Sequence, residues 1–236
     1  MFYGFYWDPT YYLVIIGSVI CLLASLKVRS TYAKYSHVRS MSGMTGRAAA
    51  EALLRSQGIY DVTVERVAGN LTDHYDPRSK VLRLSESVYG SDSVAAIGVA
   101  AHECGHAIQH AQNYMPLTIR GALVPVANLG STLCWPLILI GLLFFNSQSS
   151  NLFIQLGIIL FSAVVLFQLI TLPVELNASG RAMKLLGSEG ILYEDELKHT
   201  RKVLTAAALT YVASAAASIL QLLRLFLLFG GRGRDD

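Results

Sequence analysis

Four long apolar stretches constrain this chain more than any other feature: residues 11–26, 121–145, 152–174 and 204–229. A helix needs about 20 mostly apolar residues to cross the hydrocarbon of a bilayer. The second and third stretches meet that length. Between them lies 146–151, which is short, polar and uncharged, so the pair reads as a helical hairpin. The first stretch is followed by Lys27, Arg29, Lys34 and Arg39, while 1–10 has no Lys or Arg. A cleaved signal peptide has the opposite order. The stretch therefore reads as an anchor with its N-terminus outside. The fourth stretch is interrupted by Arg224, and its first half is rich in Ala, Ser and Thr, a composition suited to helix packing. It either crosses the membrane or lines a cavity. Composition agrees: the chain is 53% hydrophobic and 15% charged, where a soluble domain carries about 25% charged residues.

Charge placement orients the layout. Residues 27–120 carry 11 Lys or Arg and residues 175–203 carry five, out of 19. The other three are Arg224, Arg232 and Arg234. Four crossings put both basic stretches on one side, and the positive-inside bias makes that side cytoplasmic. The net charge of +3 gives no reason to expect nucleic acid. The length and the absence of linkers or repeats suggest one integrated domain over 1–236. The cysteines Cys21, Cys104 and Cys134 are odd in number and read as free buried thiols.

Residues 28–120 are long enough to hold structure of their own. The stretch 45–57 predicts a helix with Thr45 as N-cap and Gly58 just past the end. Residues 60–67 alternate as a strand does. Residues 71–78 contain Asp73, Asp76 and Pro77 and predict a turn or loop. Residues 80–85 alternate again and predict a second strand. A helix capped by Ser91, Asp92 or Ser93 runs from about Val94 to Gln112.

That helix contains His102-Glu103-Cys104-Gly105-His106. Residues four apart lie on one helix face, so both imidazoles can reach one ion. Glu103 is poorly placed as a ligand but well placed for a water on that ion. The pattern is that of two zinc ligands and a general base, with the glutamate taking a proton from zinc-polarised water as it attacks a carbonyl. Gly105 and Ala101 keep the helix surface small. Two histidines and a carboxylate among apolar neighbours would be expensive to bury unpartnered. A catalytic zinc has three protein ligands and one open position. Two residues compete for the third place: Glu175, directly after the third apolar stretch, and His110, one turn beyond His106. Glu175 also reads as an interfacial charge ending a membrane helix. His110 would require three ligands to converge from successive turns, so a supporting or substrate role suits it better.

Several stretches together resemble the YugP-type neutral zinc metallopeptidases of bacteria, over nearly the whole length. They are Leu71-Thr-Asp-His-Tyr-Asp-Pro-Arg78, Val81-Leu-Arg-Leu-Ser85, Ser93-Val-Ala-Ala96, Val99-Ala-Ala-His-Glu-Cys-Gly-His-Ala-Ile-Gln109 and Ala206-Ala-Ala-Leu-Thr-Tyr-Val-Ala213. More distantly the chain is similar to the HtpX and Ste24 membrane peptidases. Those are gluzincins, with a third ligand from a later Glu-x-x-Ala-Asp pattern. Here that pattern reads Glu175-Leu176-Asn177-Ala178-Ser179, with Ser179 in place of the aspartate. The resemblance implies a mainly α membrane protein carrying a small α+β zincin-like unit built from 28–120 and 175–203 at the cytoplasmic face. It implies one Zn2+ per chain held by His102, His106 and Glu175. It also implies that an edge strand, Val81, Leu82, Arg83 and Leu84, binds substrate by strand addition. His110, Ser179, Arg181, His74 and Tyr211 are candidates for supporting the ligands or stabilising the oxyanion. The expected protein is a multi-pass endopeptidase of the bacterial cell membrane, acting on peptides or membrane proteins. The sequence does not specify a protein partner or a homo-oligomer.

Other readings fit less well. A site-2-type intramembrane protease would add a Leu-Asp-Gly element, and none occurs. An inactive scaffold with a structural zinc would not need Glu103. A metal transporter would distribute ligands over the membrane helices, which are mostly apolar.

Overall fold

The structure, a computed structural model, describes residues 8–144 and 148–230. Residues 1–7, 145–147 and 231–236 lie outside the described residues. With them fall the end of the second apolar stretch, part of the hairpin connection, Arg232 and Arg234.

The element order is α1 (Tyr11–Tyr35), α2 (Gly46–Ser56), β1 (Thr63–Val67), β2 (His74–Asp76), β3 (Val81–Ser85), α3 (Glu86–Tyr89), α4 (Val94–Ala111), α5 (Met115–Leu143), α6 (Gln148–Ser188) and α7 (Glu194–Phe229). The protein is thus mainly helical with one small sheet. Among the described residues, α1, α5, α6 and α7 are long and apolar enough to cross a membrane. All four outrun their apolar stretches, α5 by beginning at Met115. α1 continues to Tyr35, α7 begins at Glu194, and α6 runs through Pro173 to Ser188. Hydropathy measures the span needed for lipid, whereas helix length is set by capping and packing.

The chain separates into two compact units. One comprises the described parts of Met1–Leu23, Ile119–Thr171 and Tyr211–Asp236. Its core gathers Cys134, Ile138, Ile154, Ile158, Phe161, Val165 and Leu225. Arg224, the charge inside the fourth apolar stretch, is answered here. Its guanidinium meets Asp8 at 3.0 Å and lies 4.2 Å from the centroid of the Tyr11 ring.

The other unit is Ala24–Thr118 with Leu172–Thr210. α4 is buried along most of its length, and its apolar residues join Leu53, Leu82, Leu84, Leu186 and Leu192 in one core. The predicted caps are in place. Thr45 accepts from the Ala48 amide at 3.2 Å, and Ser93 accepts from the Ala96 amide at 3.2 Å. Gly58 takes φ +71° just beyond α2, a left-handed conformation that glycine adopts without strain.

The sheet corrects two expectations. Its order is β1-β3-β2, with β3 parallel to β1 and antiparallel to β2. Residues 71–78 are therefore not all loop. They include β2, joined to β3 by a turn in which Asp76 accepts from the Arg78 amide at 3.0 Å and from Ser79 Oγ at 2.6 Å. Val81, Leu82, Arg83 and Leu84 form the central strand, not an edge. Leu82 and Leu84 are fully buried and both strand edges are paired, so β3 has no free edge for a further strand.

Candidate metal centre

His102 and His106 stand one turn apart on α4 with their rings edge to face, centroids 4.8 Å apart. Glu175 comes from α6. Because α6 is continuous through Pro173, Glu175 lies inside a helix rather than at its end. The close approach of α6 to α4 depends on Gly105. A Cβ there would sit 2.6 Å from the Ala178 carbonyl oxygen, so any side chain would push the two backbones apart.

Nε2 of His102 lies 3.2 Å from Glu175 Oε2, and Nε2 of His106 lies 3.5 Å from the same oxygen. One ligand atom from each of the three residues falls within 4.8 Å of the others. Two ligand atoms each bound about 2.0–2.1 Å from a tetrahedral zinc lie roughly 3.3 Å apart. Two imidazole nitrogens and a carboxylate therefore fit zinc in donor type and in spacing. The Glu175 side chain is 3% exposed, while the histidines keep 15% and 11%, so the triad is anchored on one side and reachable on the other. Burial would lower the pKa of His106, but the Glu175 and Glu103 carboxylates outweigh it and hold the ring above its ordinary value. The site attracts positive charge.

Each histidine is also held at its second nitrogen. Nδ1 of His102 pairs with Ser179 Oγ at 3.0 Å, and Nδ1 of His106 with Gln109 Oε1 at 3.0 Å. The second link belongs to a chain of fixed polarity. Arg181 can only donate, and its Nε gives to Asn177 Oδ1 at 2.7 Å. Gln109 Nε2 gives to that same oxygen at 2.9 Å and to the Val174 carbonyl at 2.8 Å. The Gln109 oxygen must then accept from His106 Nδ1–H, so in the neutral ring it is Nε2, on the Glu175 side, that carries the lone pair. Gln109 is fully buried. Sequence reasoning missed it, because a glutamine three residues after a histidine looks like any polar helix residue. The signal was its place directly after Ala107 and Ile108, within one turn of His106.

Glu103 is buried at 9% exposure, and no hydrogen bond engages its carboxylate among the described residues. Cys104 faces α2, with Sγ 3.6 Å from the Ala50 carbonyl oxygen, and burial pushes its thiol pKa well up. It, Cys21 and Cys134 are free thiols. His110 lies outside the triad. Its Nδ1 meets Tyr75 Oη at 2.9 Å, tying β2 to α4. Arg181 is engaged by Asn177 and by Gln112 at 2.5 Å, and it stacks on Tyr114. His74 is exposed on β2, with partners Thr72 O at 2.9 Å and Arg83 at 3.4 Å. Tyr211 lies on α7 in the other unit.

An apolar, multi-helix chain with a His, His, Glu cluster defines a membrane protein of the zinc peptidase class. The chain belongs to the family described as "Putative neutral zinc metallopeptidase", whose model matches residues 10–230. It is 48% identical over 225 residues to the "Putative membrane protease YugP" of Bacillus subtilis (strain 168), covering 95% of this chain and 98% of that protein. No solved structure matches the chain.

Proposed function

We propose that the chain is a multi-pass endopeptidase of the bacterial cell membrane, of gluzincin type, with a zincin-like site opening to the cytoplasm and one Zn2+ per chain. The carrying observation is the convergence of His102, His106 and Glu175 donor atoms within 4.8 Å. The two histidines would bind through Nε2 and Glu175 through its carboxylate. Zinc bound there supplies Lewis-acid polarisation of the peptide carbonyl and the attacking water. Glu103 takes the proton of that water as the carbon–oxygen bond forms. It then gives the proton to the amide nitrogen as the carbon–nitrogen bond breaks. Ser179 and Gln109 keep both imidazoles aimed. An extended peptide would pair with the outer edge of β2, next to the Tyr75–His110 bond. A structural zinc on an inactive scaffold would close its coordination with a fourth ligand. The cluster holds three among the described residues.

Glu103→Gln should keep zinc but abolish cleavage of a peptide or membrane-protein substrate. Equal cleavage by this variant and wild type would sink the mechanism. Metal per chain should fall in Glu175→Ala and stay near wild type in His110→Ala; the reverse ranking removes Glu175 as the third ligand.

A further inference from the structure

Away from the triad, the unit that holds it contains a cleft of about 630 Å3 between the last turns of α1 and the first turns of α7. Each helix offers one face to it. Lys27, Thr31 and Lys34 line it from α1, and Lys198, Lys202 and Leu209 line it from α7 at spacings that share a helix face. Arg201 also lines it. Lys198 is bound to Asp195 at 2.8 Å. Lys27, Lys34, Arg201 and Lys202 have no carboxylate partner among the described residues. These cations are gathered rather than dispersed. The ammonium groups of Lys34 and Lys202 lie 5.6 and 5.9 Å from the centroid of one ring, Tyr35, and His199 stacks on that ring at 4.8 Å. Four uncompensated positive charges around one cavity repel each other, and an anion between them would relieve this. Further along α7 the lining turns apolar at Ala206 and Leu209, where the fourth apolar stretch begins.

A cleft with a cationic end and an apolar end, on helices long enough to enter a bilayer, matches a phosphate headgroup with the first part of its acyl chain. Free phosphate would make no use of the apolar end. We propose that this cleft binds the headgroup of an anionic phospholipid at the cytoplasmic surface of the membrane. The inference rests on the membrane placement of α1 and α7, not on peptidase chemistry. Zinc and cleavage are therefore not read in its test, and failure of one reading leaves the other standing.

The test is native mass spectrometry of the detergent-purified full chain, offered phosphatidylglycerol and phosphatidylcholine with matched acyl chains. Wild type should retain phosphatidylglycerol preferentially. Each basic residue near an anionic surface is worth about 1 kcal/mol, so Lys34→Gln with Lys202→Gln should weaken retention on the order of tenfold or more. Arg55→Gln with Arg78→Gln removes equal charge elsewhere in the unit and should leave retention unchanged. Gel-filtration elution and thermal melting of each variant report that it is folded. Equal retention by wild type and the cleft variant overturns the site, as does equal loss in the control pair. Displacement of phosphatidylglycerol by excess inorganic phosphate overturns the lipid assignment in favour of a free anion.

Discussion

Gln109→Leu isolates the contribution of the groups behind the ligands. Leucine keeps nearly the same volume in a fully buried position but removes three hydrogen bonds, to His106, Val174 and Asn177. Asn177 retains Arg181 and the Val174 carbonyl keeps its place in the hydrogen-bond ladder of α6, so the group left short is His106 Nδ1–H. Each unsatisfied buried group costs on the order of 1–3 kcal/mol. Losing the group that orients a ligating histidine typically lowers metal affinity 10–100-fold, about 1.4–2.8 kcal/mol. Gln109→Glu separates orientation from stability. It keeps an acceptor, now charged, facing Nδ1–H while losing both donors, so its melting temperature should fall but its zinc affinity should stay at or above wild type. Competition with a chromophoric chelator on the purified protein measures both affinities. If folded Gln109→Leu holds zinc as tightly as wild type, the relay does not position His106. If Leu and Glu weaken zinc equally, the effect is general destabilisation and the reasoning fails.

Two further perturbations address the scaffold. Gly105→Ala places a methyl group against the Ala178 backbone. It should cost about 1–3 kcal/mol through overpacking and should lower zinc per chain, because Glu175 and Ser179 move with that backbone; unchanged melting and zinc would show that the helices can separate freely. Asp73 has its pKa raised above the ordinary 3.8, chiefly by burial, against the bonds it accepts from Ser85. A raised acid stabilises the fold fully below its unfolded value and loses that contribution as pH rises through the folded value. Asp73→Asn should therefore gain melting temperature relative to wild type between pH 4 and pH 7, and a gap that narrows over that range would contradict the assignment.

Much of the site was legible because metal binding imposes a spacing. Two histidines four apart on a capped helix need no tertiary information to share a face. Glu175 was different. Its distance from His102 in sequence is bridged by the packing of α6 on α4 at Gly105 and Ala178, which spacing alone cannot express. The apolar stretches located the four long helices, but their ends were missed where polar turns continue the helix, as at 175–188 of α6. β2 was missed because three residues give too little alternation to show a period, and the Asp76-Pro77 turn beside it dominates the local signal. The resemblance cast β3 as an edge strand, and with β2 read as loop nothing in the sequence contradicted it.

Ser179 is where sequence and structure together give the sharpest test. It stands in the position of the aspartate of the distant relatives, and its Oγ meets His102 Nδ1 at 3.0 Å. A hydroxyl can accept from Nδ1–H and fix the ring, as Gln109 does for His106. Neither residue adds negative charge. The two histidines are thus supported symmetrically by neutral groups, and Glu175 and Glu103 are the carboxylates of the immediate site. Ser179→Asp would strengthen the bond to Nδ1–H, because a charged acceptor is roughly twice as strong as a neutral one. It would also put a second carboxylate one turn from Glu175 on α6, and like charges at that spacing destabilise a helix. Without metal the variant should melt lower than wild type; with zinc the difference should shrink or reverse, because the cation offsets the added charge and binds a better-supported ligand. Melting curves with and without zinc, alongside chelator competition, read both effects. Weaker zinc binding by a folded Ser179→Asp protein would show that Ser179 serves packing against α4 rather than the orientation of His102.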